Sequence, residues 1–133
     1  MIDPYHRSAH WTLDTVPERF WARIDAAAGD SDRFLASLGE LDAEGHYELI
    51  DQFSGLATAL VVPRFDELPE AIREQDILKT EELADCVISQ GRDAYVAVLR
   101  EPVRFPEVRT RPNYCGCVVE SCMARFGSYR ARE

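Results

Sequence analysis

The sequence predicts an all-α fold, a compact single domain of about five to six helices within 133 residues. Three observations carry that expectation. Apolar residues recur at helical spacing in several segments, and no strand series accompanies them. Prolines, glycines and capping residues fall where those segments begin and end. The chain is also long enough to bury one hydrophobic core without disulfides or metals. The domain spans residues 1–133, with 1–15 as an N-terminal arm and 127–133 as a frayed tail.

The first helix lies in "TVPERFWARIDAAAG". Pro17 suits a first turn, Glu18 complements the helix dipole, and Gly29 ends the run. Phe20, Trp21, Ile24, Ala27 and Ala28 share one face. "DSDRFLASLGEL" follows, capped by Asp30 or Ser31, with Phe34, Leu35, Leu38 and Leu41 on one stripe. Asp42 caps a longer helix, "AEGHYELIDQFSGLATALVV", whose Leu49, Phe53, Leu56 and Leu60 recur at i, i+4, i+7 and i+11. "VPRFDELPEAIREQDI" has two prolines and many charges and reads as a connection with a short helix around residues 70–75. Thr80 is placed as the cap of a fourth main helix, "EELADCVISQGRDAYVAVLRE", which Pro102 stops. A basic irregular connection, "VRFPEVRTRPNY", leads to the cysteine-rich segment. No internal repeat or low-complexity block is present.

Gly91 sits in the middle of the fourth helix's apolar stripe, with Leu83, Val87, Tyr95 and Val98. A mid-helix glycine costs about 1 kcal/mol relative to alanine. One compensation is close approach of a bulky side chain, and Trp21 is a candidate occupant of that notch. The other reading is a break, with residues 90–93 forming a surface corner that carries a functional side chain. The packing reading is the preferred one.

Net charge is −9, with 46% hydrophobic and 29% charged residues. Residues 1–99 hold 20 acids and 8 bases, whereas 100–133 hold 4 acids and 7 bases. A body carrying −12 repels phosphate backbones, so no nucleic-acid partner is expected. It suits a basic protein partner equally as well as it suits simple solubility. No apolar run approaches the roughly 20 residues that span a bilayer, so no membrane partner is expected either. The N-terminus lacks an apolar signal-peptide core, so a cytoplasmic location is expected.

Three of four cysteines fall within "NYCGCVVESCMARF", residues 113–126. Zinc would need four ligands, with Cys115, Cys117 and Cys122 joined by Cys86 or a distant histidine. Were 115–126 helical, Cys115, Val118, Val119, Cys122 and Phe126 would share one face, and Cys117 would point about 200° away from Cys115 at the helical ~100° per residue. Cys115 and Cys117 could then meet on one ion only if Gly116 made a non-helical turn. Core packing by reduced cysteine explains the segment better than a metal or redox centre, so no metal and no cofactor are assigned.

His6 and His10, at i and i+4, lack the intervening glutamate of a zinc-protease motif. His46 is read as a polar surface residue. Glu81, Glu82 and Asp85 read as solvated helix surface. No phosphate loop, nucleophile elbow or nucleotide fingerprint occurs.

"RFWARIDAA" followed by "CVISQGRDAYVAVLREP" resembles a bacterial family of uncharacterised helical proteins, domain of unknown function 4240. Phe20, Trp21, Ile24 and Asp25 match its opening helix; Ile88, Gly91, Arg92, Tyr95 and Pro102 match its later signature. The resemblance covers roughly residues 18–105. In place of the family's aromatic-alanine helix and paired aspartates, this chain has "REQDILKTEELAD". The resemblance implies an all-α fold in a bacterial cytosol and lends no activity; it favours an interaction module over a self-contained enzyme.

Two functional expectations follow. The first is a protein-binding module, immunity-like or inhibitory, that meets a basic partner through Glu44, Glu48 and Asp51. The alternative is a small-ligand binder or enzyme at the Gln90-Gly91-Arg92 corner, with Arg92 holding an anionic group and Tyr95 lining the pocket. A zinc-stabilised interaction domain using Cys115, Cys117 and Cys122 is the third reading.

Overall fold

The computed structural model describes residues 11–109 and 112–127, and among these it is all-α, with no strand. Helix α1 (Glu18–Ala27) starts after Pro17 and ends at Ala28, a left-handed non-glycine residue with φ 50°. Ala28 is therefore a terminator rather than part of the buried face, which Phe20, Trp21, Ile24 and Ala27 make. Helix α2 (Ser31–Ser37) is capped by Asp30, whose carboxylate accepts from the amides of Asp32 and Arg33. It tightens into a 3-10 turn over Leu38–Glu40. Asp42 caps α3 (Ala43–Val61) through the Gly45 amide, and Leu49, Phe53, Leu56 and Leu60 are all buried as their spacing demands.

After a 3-10 turn (Phe65–Glu67) and the short α4 (Glu70–Arg73), helix α5 spans Ile77–Ile88. Its cap is Asp76, which accepts from the Lys79 amide, and not Thr80. The expectation missed a turn because Ile77 and Leu78 are exposed and carry none of the apolar stripe. Thr80 is buried, and its hydroxyl donates back to the Asp76 carbonyl. The predicted helix over 81–101 is in fact two, since α5 stops and α6 (Arg92–Arg100) restarts after Gly91. A 3-10 turn (Pro102–Arg104) and an irregular stretch lead to α7 (Tyr114–Phe126), capped by Asn113 and ended by left-handed Gly127.

Helix α3 is the central element, packed against α5 and α7, while α2 packs on α7 and α1. Aromatic contacts stitch the layers. Phe20 meets Trp21 and Phe53 edge-on at 5.0 and 5.1 Å, and Phe34 stacks on Tyr114 at 4.2 Å. Such pairs each add about 0.5–1.5 kcal/mol beyond the area they bury. No helix is long and apolar enough to cross a membrane among the described residues.

Candidate functional site

The corner between α5 and α6 is built from its backbone outward. The last turn of α5 tightens as the amides of Gln90 and Gly91 bond the carbonyls of Val87 and Ile88. Gly91 then takes φ 110° and ψ 173°, a region essentially restricted to glycine. Its carbonyl accepts from Tyr95, which restarts the helix, and no side chain caps the first turn of α6. Gly91 is buried, and a Cβ there would sit 3.4 Å from Oδ1 of Asp25. The preferred packing reading fails: Gly91 precedes a restarted helix rather than sitting mid-helix, and Trp21 is not among the atoms a Cβ there would meet. The helix does break, and the residue facing the break from α1 is Asp25, one turn beyond Trp21.

The break opens a cleft of about 690 Å³ between α1 and the corner. Buried Val16 and Trp21, with half-buried Leu13, supply its apolar wall. Glu18, Arg19 and Asp25 line it from the α1 side, and Gln90, Arg92 and Asp93 from the other. Arg92, Glu18, Asp25 and Asp93 make no ion pair with one another or with any other described residue; Arg19 alone is paired, to Glu48 at 3.4 Å. Carboxylates and guanidinia therefore face one space without neutralising each other.

Gln90 and Arg92 stand at this cleft as expected, but Tyr95 does not line it. Tyr95 is fully buried, donates its hydroxyl to the Leu56 carbonyl at 2.7 Å, and lies 5.8 Å from the Trp21 ring. Burial pushes its phenol well above the usual tyrosine range. Its place in the apolar stripe of a restarted helix turns it inward, so it supports Trp21 from behind.

The acidic trio occupies one side of α3, yet not as a uniform negative face. Glu44 is exposed, Glu48 and Asp51 half-buried. Glu48 binds Arg19 and accepts from Gln52, and Glu44 and Glu48 share a shallow hollow with Arg19 and Arg23.

The cysteine-rich helix holds its thiols apart. Cys86 and Cys122 are buried, Cys115 and Cys117 half-buried, and no disulfide joins any of them. Gly116 is helical, so Cys115 turns to the Asp85 carboxyl and Cys117 toward Ser31. Burial first, then the Asp85 charge, pushes the Cys115 thiol well up, and burial also raises Cys117. Thiols so held carry little thiolate, which is the reactive and ligating form. No group of three or more His, Cys, Asp or Glu is placed to hold a metal among the described residues. Phe126, expected on the buried face, is instead 39% exposed at the helix end, with Arg125 over its ring. His6 and His10 lie outside the described residues.

His46 and Asp85 depart from their sequence reading. His46 is fully buried, not a surface residue; Nδ1 donates to the Asp42 carbonyl at 2.8 Å, and Nε2 meets Ser121 Oγ at 2.7 Å. Ser121 is 75 residues away, so no local signal announces the pair. Asp85, read as solvated surface, has its carboxyl held well above the usual range by burial and by the Glu81 charge, with a hydrogen bond to Cys115 opposing them. Against known proteins, the chain matches no family model, no curated protein and no solved structure.

Proposed function

We propose that this chain is a small-ligand-binding protein whose site is the cleft at the Gln90-Gly91-Arg92 corner. The observation that carries the reading is the cleft itself, opened by a helix break that only glycine accommodates. Its volume of about 690 Å³ falls within the range of small-molecule sites. Trp21 offers an apolar wall for the ligand's body, and Arg92 offers a planar fork for a carboxylate or phosphate. Three carboxylates against two guanidinia line the space, which favours a ligand bearing a positive group as well as a negative one. Membership of the family that the sequence resembles is part of this proposal. Trp21, Asp25, Gly91 and Arg92, four of the residues that carry the resemblance, all line the cleft.

A thermal-shift screen with amino acids, small carboxylates and phosphate esters, followed by calorimetric titration, tests it. Zwitterionic ligands should raise the melting temperature, and Arg92→Gln should abolish that rise while Arg104→Gln leaves it intact. Equal binding by Arg92→Gln would remove the cleft as the site.

The second reading is recognition of a basic protein through Glu44, Glu48 and Asp51, and the −12 carried by residues 1–99 favours it. It has thinner support, because Glu48 and Asp51 are half-buried and only Glu44 is exposed. Charge reversal at Glu44 and Asp51 should weaken such a complex at modest salt; unchanged capture would end that reading.

A further inference from the structure

Beyond the ligand cleft, a second surface runs against the charge of the whole molecule. Residues 1–99 contain eight basic side chains among 20 acids, and three of the eight, Arg19, Arg23 and Arg33, line one open cleft between α1 and α2. We propose that this cleft docks an acidic segment of a partner protein, with carboxylates on Arg19 and Arg33 and apolar side chains on Ala22 and Ala26.

The three arginines are not equivalent. Arg23 is committed to the fold: it donates to the Ser37 carbonyl at 2.9 Å and to Glu40 at 3.2 Å, and its side chain is only 20% exposed. That pairing also neutralises Glu40, the one acid lining this cleft. Arg33 is exposed and makes no ion pair among the described residues. Arg19 is 77% exposed and touches Glu48 only at 3.4 Å. A surface pair of that kind is worth about 0–1 kcal/mol, so the side chain can turn to a better carboxylate. Two cationic groups therefore flank a floor of alanines whose methyls leave about 320 Å³ of space.

The occupant is a protein segment rather than a lone small anion, because the surface continues. Arg19 and Ala22 also line the larger cleft, and Arg19 and Arg23 line the hollow beside α3, so the whole outer face of α1 is corrugated. A helical or extended segment can follow that face, which is the groove mode of peptide recognition. Within residues 1–99, where acids outnumber bases 20 to 8, an acidic partner is repelled away from this face, so charge favours docking here over the rest of that body.

The test uses the full chain and a fluorescein-labelled peptide repeating Glu-Ala-Ala-Leu, with Lys-Ala-Ala-Leu as its counterpart. Anisotropy should show salt-sensitive binding of the acidic peptide only, and amide shifts should concentrate on Ala22, Ala26 and Arg33. Arg33→Glu should weaken binding about tenfold, as should Ala26→Phe, which fills the floor. Arg104→Glu, an equal charge change elsewhere, should leave it intact, as should Arg92→Gln, which separates this surface from the ligand cleft. Melting curves establish that each variant is folded. The proposal is overturned if Arg33→Glu binds like the parent, if Arg104→Glu weakens binding as much, or if free glutamate displaces the peptide as effectively as unlabelled peptide does.

Discussion

The corner at Gly91 and the start of α7 each place a glycine inside a stretch of helical pattern, and only the corner opens. Gly91 is buried at φ 110°, its neighbour across the gap is a carboxylate, and the charged groups around it are left facing solvent space. Gly116 stays helical and exposed, with Asn113 capping its amide and Cys115 beside it turned to the Asp85 carboxyl. Openness thus comes from what packs around the glycine, not from glycine itself. At the corner the chain breaks beside a cleft that Trp21 lines; α7 is packed against α2, α3 and α5.

The sharpest way to break this contrast is to remove the support of the corner. Trp21→Ala deletes a 5%-exposed ring that touches Phe20 and Tyr95. It should cost about 3–5 kcal/mol by denaturant unfolding and erase ligand binding at the cleft. Gly91→Ala asks less of the core and more of the backbone. It should cost about 1–3 kcal/mol, because alanine must hold a conformation foreign to it. Ser121→Ala probes the α7 side by leaving Nε2 of buried His46 without its partner. A loss of about 1–3 kcal/mol is expected there, with cleft binding unchanged.

Gly116→Ala should have the opposite sign to Gly91→Ala, a gain of up to about 1 kcal/mol. Its added methyl would meet only Asn113, at 3.7 Å or more. Equal signs for the two glycines in matched melts would show that the contrast is misdrawn. A further effect concerns pH. Asp85 holds its proton in the folded state above the ordinary aspartate value of 3.8, where the unfolded chain gives it up. Its contribution therefore makes stability fall as pH rises past 3.8 toward its own higher value. Asp85→Asn should flatten that slope in unfolding curves taken between acid and neutral pH.

The helices were legible because local rules dominate them. Asp30 and Asp42 cap as their positions dictate, and Phe34, Leu38, Leu49, Phe53, Leu56 and Leu60 are buried as their periodicity requires. The break at Gly91 was not decided by that periodicity, since Leu83, Val87, Tyr95 and Val98 stay buried on both sides of it. A stripe that survives a kink cannot report the kink. The cleft was half legible: Gln90, Gly91 and Arg92 marked one wall, but Val16 and Asp25 join them only through the path of the chain. His46 and Ser121 were illegible for the same reason, since each is ordinary until the other is beside it.

One further consequence lies in the order of synthesis. Helix α7 is the last of the described helices, yet Tyr114 covers Phe34, Ser121 completes His46, and Arg125 donates to the Leu38 carbonyl 87 residues earlier. The helices ahead of residue 114 are therefore made before the element that covers them. Until this helix is made, Phe34 lacks the ring that stacks on it and His46 lacks the hydroxyl that meets its Nε2.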